Sequence, residues 1–208
     1  MIAILANGSY PSAAAPLQLL AEAERVVCCD GAAESYIGHG GQPDVIIGDL
    51  DSVPQALLHD MAGRIVRVAE QDTNDLSKAF RYCLEKGWTD VVILGATGKR
   101  EDHTLGNIAL LADFAEKMPG IRMVTDDGTF FVVFRKAAFP AVQGQEISLF
   151  ALRPGTHIFS EGLEYPLDGM APERLWQATL NVAAADTVSI SVKEDFPVIV
   201  FMANVNSN

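Results

Sequence analysis

Along residues 1–127, short apolar runs alternate with stretches whose apolar positions recur every three or four residues. The runs at 2–6, 25–30, 44–49, 64–69, 90–95 and 121–125 predict strands. They lack in–out alternation, which marks strands covered on both faces. Residues 74–86 place Leu76, Ala79, Phe80, Cys83 and Leu84 at offsets of three and four, on one face of a helix. Residues 103–117 follow the same rhythm. Strands separated by helices predict βαβ units and a parallel sheet, so 1–127 reads as a Rossmann-like α/β domain.

From residue 128 the pattern changes. Runs at 129–134, 146–152, 179–182, 188–192 and 198–202 predict short strands, with turn signals at Arg153-Pro154-Gly155 and Asp168-Gly169 between them. No long amphipathic helix is evident, so 128–208 reads as a small all-β sandwich domain.

Composition narrows the classes. With 27 acidic against 15 basic residues and a net charge of -12, a general nucleic-acid binder is excluded, because it needs a basic face for phosphates. An acidic protein that binds phosphate is expected to do so through cations. Cys28, Cys29 and Cys83 form no CxxC pair and are odd in number, which points to packing rather than zinc or disulfides. The N-terminal run lacks a basic flank and breaks at Asn7-Gly8, and no run reaches the ~20 apolar residues of a membrane helix. A cytoplasmic protein with no membrane or nucleic-acid partner is the expectation.

Ligands of open parallel sheets bind beyond the carboxyl ends of the strands. The second predicted strand ends in Asp30-Gly31 and the third in Gly48-Asp49-Leu50-Asp51-Ser52. The fourth runs into Glu70-Gln71-Asp72-Thr73-Asn74-Asp75, the fifth into Gly95-Ala96-Thr97-Gly98-Lys99-Arg100-Glu101-Asp102-His103. Carboxylates converging on one edge repel unless a cation sits among them, and magnesium, an oxygen-liganded ion that bridges carboxylates to phosphates, is the natural candidate. In a turn, Asp49 and Asp51 could converge on one ion; alternatively Asp51 or Ser52 caps a helix starting near Pro54. Thr73 could cap the helix that begins at Asn74, whose free N–H groups also suit a phosphate. Lys78 is either a phosphate contact or a solvated lysine. The 95–100 loop has phosphate-loop glycines but not Walker A spacing, and Arg100 could grip phosphate oxygens with both nitrogens. No nucleophile constellation is present, which favours positioning and electrostatics, the manner of phosphoryl transfer.

Together Asp30-Gly31, the Pro43–Ser52 stretch with Gly48, Asp49 and Asp51, Gln71-Asp72 with Asp75, Lys78 and Ala79, and Gly95 through Gly98, Arg100, Asp102 and His103 resemble the motif series of the thiamine pyrophosphokinase family, in its order and spacing. The resemblance implies an α/β ATP-binding catalytic domain followed by a β-sandwich that binds thiamine and forms a homodimer with shared active sites. It implies pyrophosphoryl transfer from ATP to the thiamine hydroxyl, releasing AMP, with Mg2+. By motif match, Asp49, Asp51, Asp75 and Asp102 would hold metal and orient the triphosphate, and Arg100 would stabilise the transferring group. Asp30, Gly31, Asn74, Lys78, Thr97, Gly98, Lys99, Arg100 and His103 would surround the nucleotide. Gln71, Tyr165 and Asn181 would meet thiamine.

The second half departs from the family pattern. In Gly162-Leu163-Glu164-Tyr165-Pro166-Leu167, Glu164 replaces a usual basic residue, and the family's Ser-Asn pair appears as Leu180-Asn181. Tyr165 could instead be a core aromatic. A pyrophosphokinase for another small alcohol, such as a hydroxymethyl pterin, fits the same residues, and a non-catalytic nucleotide-binding regulatory module would keep the glycine loop without needing so many acids. A dinucleotide oxidoreductase is disfavoured by the missing GxGxxG.

Overall fold

A computed structural model describes residues 1–51 and 59–205. Ser52 and the helix expected near Pro54 lie outside the described residues. The chain divides into two compact units, Met1–Asp126 and Asp127–Asn208.

The first unit contains β1 (Ile2–Leu5), α1 (Ala14–Glu22), β2 (Arg25–Cys29), α2 (Ala32–Gly38), β3 (Val45–Gly48), β4 (Ile65–Arg67), α3 (Asp75–Glu85), β5 (Val91–Leu94), α4 (Glu101–Lys117) and β6 (Arg122–Val124). Its strands lie in the order β6-β5-β1-β2-β3-β4, and each neighbouring pair is parallel. Every residue of β1, β3 and β5 is buried, as expected of strands flanked by helices on both faces. α3 buries Leu76, Ala79, Phe80 and Cys83, and Phe80 stacks on Phe114 of α4. The fourth strand covers only Ile65–Arg67 of the expected 64–69: Arg64 ends a 3-10 turn, and the pairing with β3 stops at Gly48. α1 has no capping side chain of its own; Asp126, just after β6, accepts the amides of Ser12 and Ala13 at 2.9 and 3.0 Å.

The chain leaves β1 toward β2 and later returns on the other side of β1 at β5. That reversal opens a crevice at the carboxyl ends of β1 and β5, the place where such sheets receive ligands.

The second unit contains β7 (Gly128–Val133), β8 (Lys136–Pro140), β9 (Glu146–Ala151), β10 (Ile158–Glu161), β11 (Ala178–Val182), β12 (Thr187–Val192) and β13 (Val198–Ala203). One antiparallel sheet runs β11-β9-β13-β7 and another β10-β12-β8. A common core takes Ile147, Leu149, Val198 and Val200 from the first and Ile158, Val188 and Ile190 from the second, which makes the unit a sandwich. β8 and β10 are additions to the strands predicted from sequence. Both are edges of the smaller sheet, and neither carries the full apolar run that signals a strand. Pairing with β12 makes them strands.

Candidate active site

Four strand exits and the start of α3 surround a cavity of about 590 Å³ in the first unit. Its acidic wall is built by backbone conformation. Leu50 adopts a left-handed φ of 68°, turning the chain sharply between Asp49 and Asp51, and Asp30 itself has φ 39°. Non-glycine residues rarely hold such values, and when they do the strain commonly accompanies function. Asp30, Asp49 and Asp51 each offer one carboxylate oxygen, and these three atoms lie within 4.8 Å of one another. At an effective dielectric near 20, charges that close repel by about 3 kcal/mol per pair. Asp30 is only 4% exposed, whereas Asp49 is half-buried and Asp51 exposed, so water relieves the repulsion least at Asp30 and most at Asp51. An all-oxygen donor set of this kind fits a hard divalent cation such as Mg2+ and does not fit a thiophilic metal.

Asp75 stands beside this group. A Cβ on Gly48 would come within 3.0 Å of the Asp30 Cβ and 3.3 Å of Asp75 Oδ1, so the absence of a side chain there lets the two aspartates approach. Asp75 Oδ1 accepts a hydrogen bond from Lys78 Nζ at 2.9 Å. Lys78 is 4% exposed, which excludes a solvated lysine. Burial alone would lower its pKa, but Asp75, Asp49 and Glu70 outweigh burial and hold it above the usual lysine value. The cavity thus has a fixed positive charge among its acids.

The opposite wall is a zipped pair of loops. Gly8 N–H donates to Gly95 O at 2.7 Å, Ser9 N–H to Thr97 O at 2.7 Å and Ser9 Oγ to Gly98 O at 2.8 Å. A Cβ on Gly8 would fall 2.4 Å from Thr97 O, so only glycine permits this approach. Lys99 Nζ reaches Asn7 Oδ1 at 3.1 Å.

Of the residues read from sequence, Asp30, Asp49, Asp51, Asp75 and Lys78 line the acidic side. Gln71 and Asn74 line the cavity from the segment before α3, and Thr97, Lys99, Arg100 and His103 from the β5 exit. Gly31 lies behind the wall, against the Asn7 amide, and Gly98 forms the turn bonded to Ser9. Asp102 does not line the cavity. It pairs with Arg100, Oδ2 to NH2 at 2.6 Å, and accepts the His103 N–H at 2.9 Å. Those bonds, the Arg100 guanidinium first, pull its pKa to about 2. The close carboxylate trio therefore includes Asp30, matched by motif only to the nucleotide surroundings, and leaves out Asp75 and Asp102. Thr73 is not the cap of α3: Asn74 accepts the Ser77 N–H at 3.0 Å and donates to Asn107 Oδ1 at 3.1 Å. Asn107 in turn donates to Ala96 O at 2.9 Å, tying the helix start to the β5 exit.

Asn7, Gly8 and Asn107 are cavity residues that the sequence reading passed over. The β1 exit carries no charge, although Asn-Gly is itself a turn signal. Asn107 follows His103 by one helical turn, a spacing that puts both on one face of α4.

In the second unit, Tyr165 is 61% exposed, so it is not a core aromatic. Asn181 is buried, and its amide donates to Tyr165 O at 2.7 Å while accepting the Tyr165 N–H at 3.2 Å. It acts as a clip on the Tyr165 segment. Leu180, at a register shift in β11, has φ 59° and is exposed.

Residues 17–124 match the model of the thiamin pyrophosphokinase catalytic domain, and 128–201 that of the thiamin pyrophosphokinase substrate-binding domain. The chain belongs to the thiamin pyrophosphokinase family. Thiamine pyrophosphokinase 1 of Oryza sativa subsp. japonica is 28% identical over 171 residues, which cover 74% of this chain and 64% of that relative. Thiamin pyrophosphokinase 1 of Caenorhabditis elegans is 34% identical over 80 residues, covering 36% of this chain and 32% of the relative. The chain thus matches less than two thirds of the length of these curated relatives. Among solved structures, thiamine pyrophosphokinase of Bacillus subtilis superposes with a TM-score of 0.82 at 21% identity, covering 98% of this chain and 99% of that one, which establishes the family fold. No described helix is long and apolar enough to cross a membrane.

Proposed function

We propose that this protein is a thiamine pyrophosphokinase: it transfers a pyrophosphoryl group from ATP to the hydroxyl of thiamine, giving thiamine diphosphate and AMP. The observation that carries the reading is the trio of oxygens from Asp30, Asp49 and Asp51, gathered within 4.8 Å at the exits of β2 and β3, next to the β1–β5 crevice, in a chain of this family. In the reaction the acceptor oxygen bonds to the β-phosphorus as its hydroxyl proton is given up to solvent, and the bond from that phosphorus to the α,β-bridging oxygen breaks, with that oxygen leaving on AMP. Bound Mg2+ would neutralise charge on the phosphate oxygens. Asp30, Asp49 and Asp51 would hold it. The remaining work falls to the chain's own groups. The N–H groups at the start of α3 and the zipped glycine loops suit the triphosphate. Lys78 supplies a buried positive charge beside it. Arg100, which lines the cavity and is exposed beside Asp102, supplies a planar guanidinium for the transferring group. Gln71 lines the cavity that would receive thiamine, and exposed Tyr165 on the β unit of a second protomer would offer it an aromatic face.

The same reading makes the protein a cytoplasmic homodimer with shared sites. Exposed Tyr165, Trp176 and Leu180 on the second unit support a surface that another molecule covers. A solution mass of twice the chain's is expected; a fully active monomer counts against sharing.

Incubation with ATP, Mg2+ and thiamine should yield AMP and thiamine diphosphate in equal amounts. ADP as the nucleotide product rejects pyrophosphoryl transfer. AMP formed only with a different alcohol retains the chemistry and rejects thiamine.

A further inference from the structure

Behind the cavity segment that joins β4 to α3 lies a network the motifs do not include. Glu70 Oε2 accepts the N–H of Asp72 at 2.9 Å and of Thr73 at 3.2 Å, while Oε1 accepts the Thr73 hydroxyl at 2.6 Å. Arg81, on the second turn of α3, donates one nitrogen to that Oε1 and another to Thr73 Oγ1 at 3.1 Å. One carboxylate therefore takes four hydrogen bonds, and a guanidinium fork locks the turn onto the helix. The far end of the segment is fastened separately. Asn74 is held by Ser77 and Asn107, and Asp75 by Lys78. Gln71, inside the turn that the first fastening closes, and Thr73, part of that fastening, line the cavity.

We propose that Glu70 and Arg81 are positioning residues for the acceptor side of the cavity, their clasp fixing the 71–73 turn and with it Gln71. The nucleotide side keeps its own supports through Asn74, Asn107 and Lys78. This inference rests on Gln71 serving the acceptor, as in the proposed function.

The test compares Glu70→Ala, Arg81→Ala and the double variant in steady-state assays with ATP, Mg2+ and thiamine. Each single change should raise the KM for thiamine about tenfold with the KM for ATP within about twofold, and the double should be no worse than either single, because both disable one device. Arg81→Lys, with one point of attachment in place of a fork, should fall between. Hydrogen exchange supplies a readout independent of turnover: the amides of Asp72 and Thr73 should exchange at least about tenfold faster in Glu70→Ala, with the amides of α3 unchanged. Should that variant fail to fold, Glu70→Gln, which keeps the shape and one carbonyl acceptor, is measured instead and should show the same selectivity in smaller degree. A parallel rise in both KM values, additive effects, or unaltered exchange at 72 and 73 overturns the clasp. Wild-type protein that makes no AMP with thiamine overturns the acceptor assignment along with the proposed function, and exchange then still decides whether the clasp exists.

Discussion

The two units present their candidate ligand residues in opposite ways. In the α/β unit, charged groups are drawn inward: Asp30 and Lys78 are nearly inaccessible, and strained backbone at Asp30 and Leu50 aims the acids at one point. In the β unit the aromatic and aliphatic groups Tyr165, Trp176 and Leu180 stand outward, while the polar group, Asn181, is buried and bonds only backbone in the bonds named above. Carboxylates gathered this closely, one of them buried, cost stability unless a cation joins them, so the first unit is organised around charge. The second offers apolar area at the surface, which suits a ligand with aromatic rings or a partner's surface. Under the proposed function, the acids of the first unit and the exposed aromatics of the second would serve different ligand groups, and they should then respond to different perturbations.

The largest effect should come from the acidic trio. Asp51→Asn or Asp30→Asn removes a charge that the proposed metal needs and should lower turnover at least ~100-fold, about 2.7 kcal/mol of barrier, in a single-turnover AMP assay. Near-normal turnover in both would break the assignment of charge to the first unit. Because the three carboxylates repel one another when no cation joins them, the same variants should unfold at a temperature equal to or above that of the wild type without Mg2+; a clear loss of stability would show that the acids serve the fold instead.

A smaller and more selective effect is expected in the second unit. Tyr165→Ala should raise the thiamine KM about tenfold and leave the KM for ATP unchanged. Asn181→Ala should do the same, with a stability loss of about 1–3 kcal/mol from the unpaired Tyr165 carbonyl. If Asn181 works through Tyr165, adding it to Tyr165→Ala should raise the KM no further; additive effects would mean that Asn181 touches the acceptor itself.

Acid should affect the first unit through Glu70. The Thr73 hydroxyl and the Arg81 guanidinium hold its pKa at about 2, below the ordinary glutamate value. A depressed folded-state pKa gives stability that is complete above the unfolded value of about 4.3 and is lost as pH falls toward 2. Glu70→Gln should therefore cost stability at pH 6 and little at pH 2, measured by chemical denaturation; an equal cost at both would exclude an ionic contribution. The smallest signal concerns the thiols. Burial pushes Cys28 and Cys83 up to about 12 and Cys29 well above its ordinary value. Native protein at pH 8 should react with a thiol reagent only as fast as it unfolds, and rapid labelling of Cys29, which borders the cavity, would show that the site opens.

Legibility from sequence followed the same division. The β1, β3 and β5 strands were readable because full burial leaves an uninterrupted apolar run, β2 because all but Arg25 is buried, and α3 because its buried positions recur at three and four. β8 and β10 were not, since an edge strand draws its conformation from a partner's hydrogen bonds. Asp30, Asp49 and Asp51 were legible as strand exits, but their grouping was not. Asp75 and Asp102 sit in equally good motifs and are drawn to Lys78 and Arg100 instead.

By itself the sequence determined an α/β unit followed by a β-sandwich, the placing of acids at strand ends and the family, because periodicity and motif spacing are local properties of the chain. It took the folded chain to settle which three carboxylates meet, that Lys78 is buried against Asp75, that Asn74 and not Thr73 caps α3, that Glu70 and Arg81 brace the turn ahead of it and that Asn181 grips Tyr165. Each of those outcomes depends on a distance between residues brought together by strand order or on a backbone angle at a single residue, and neither quantity is written in the spacing of residue types.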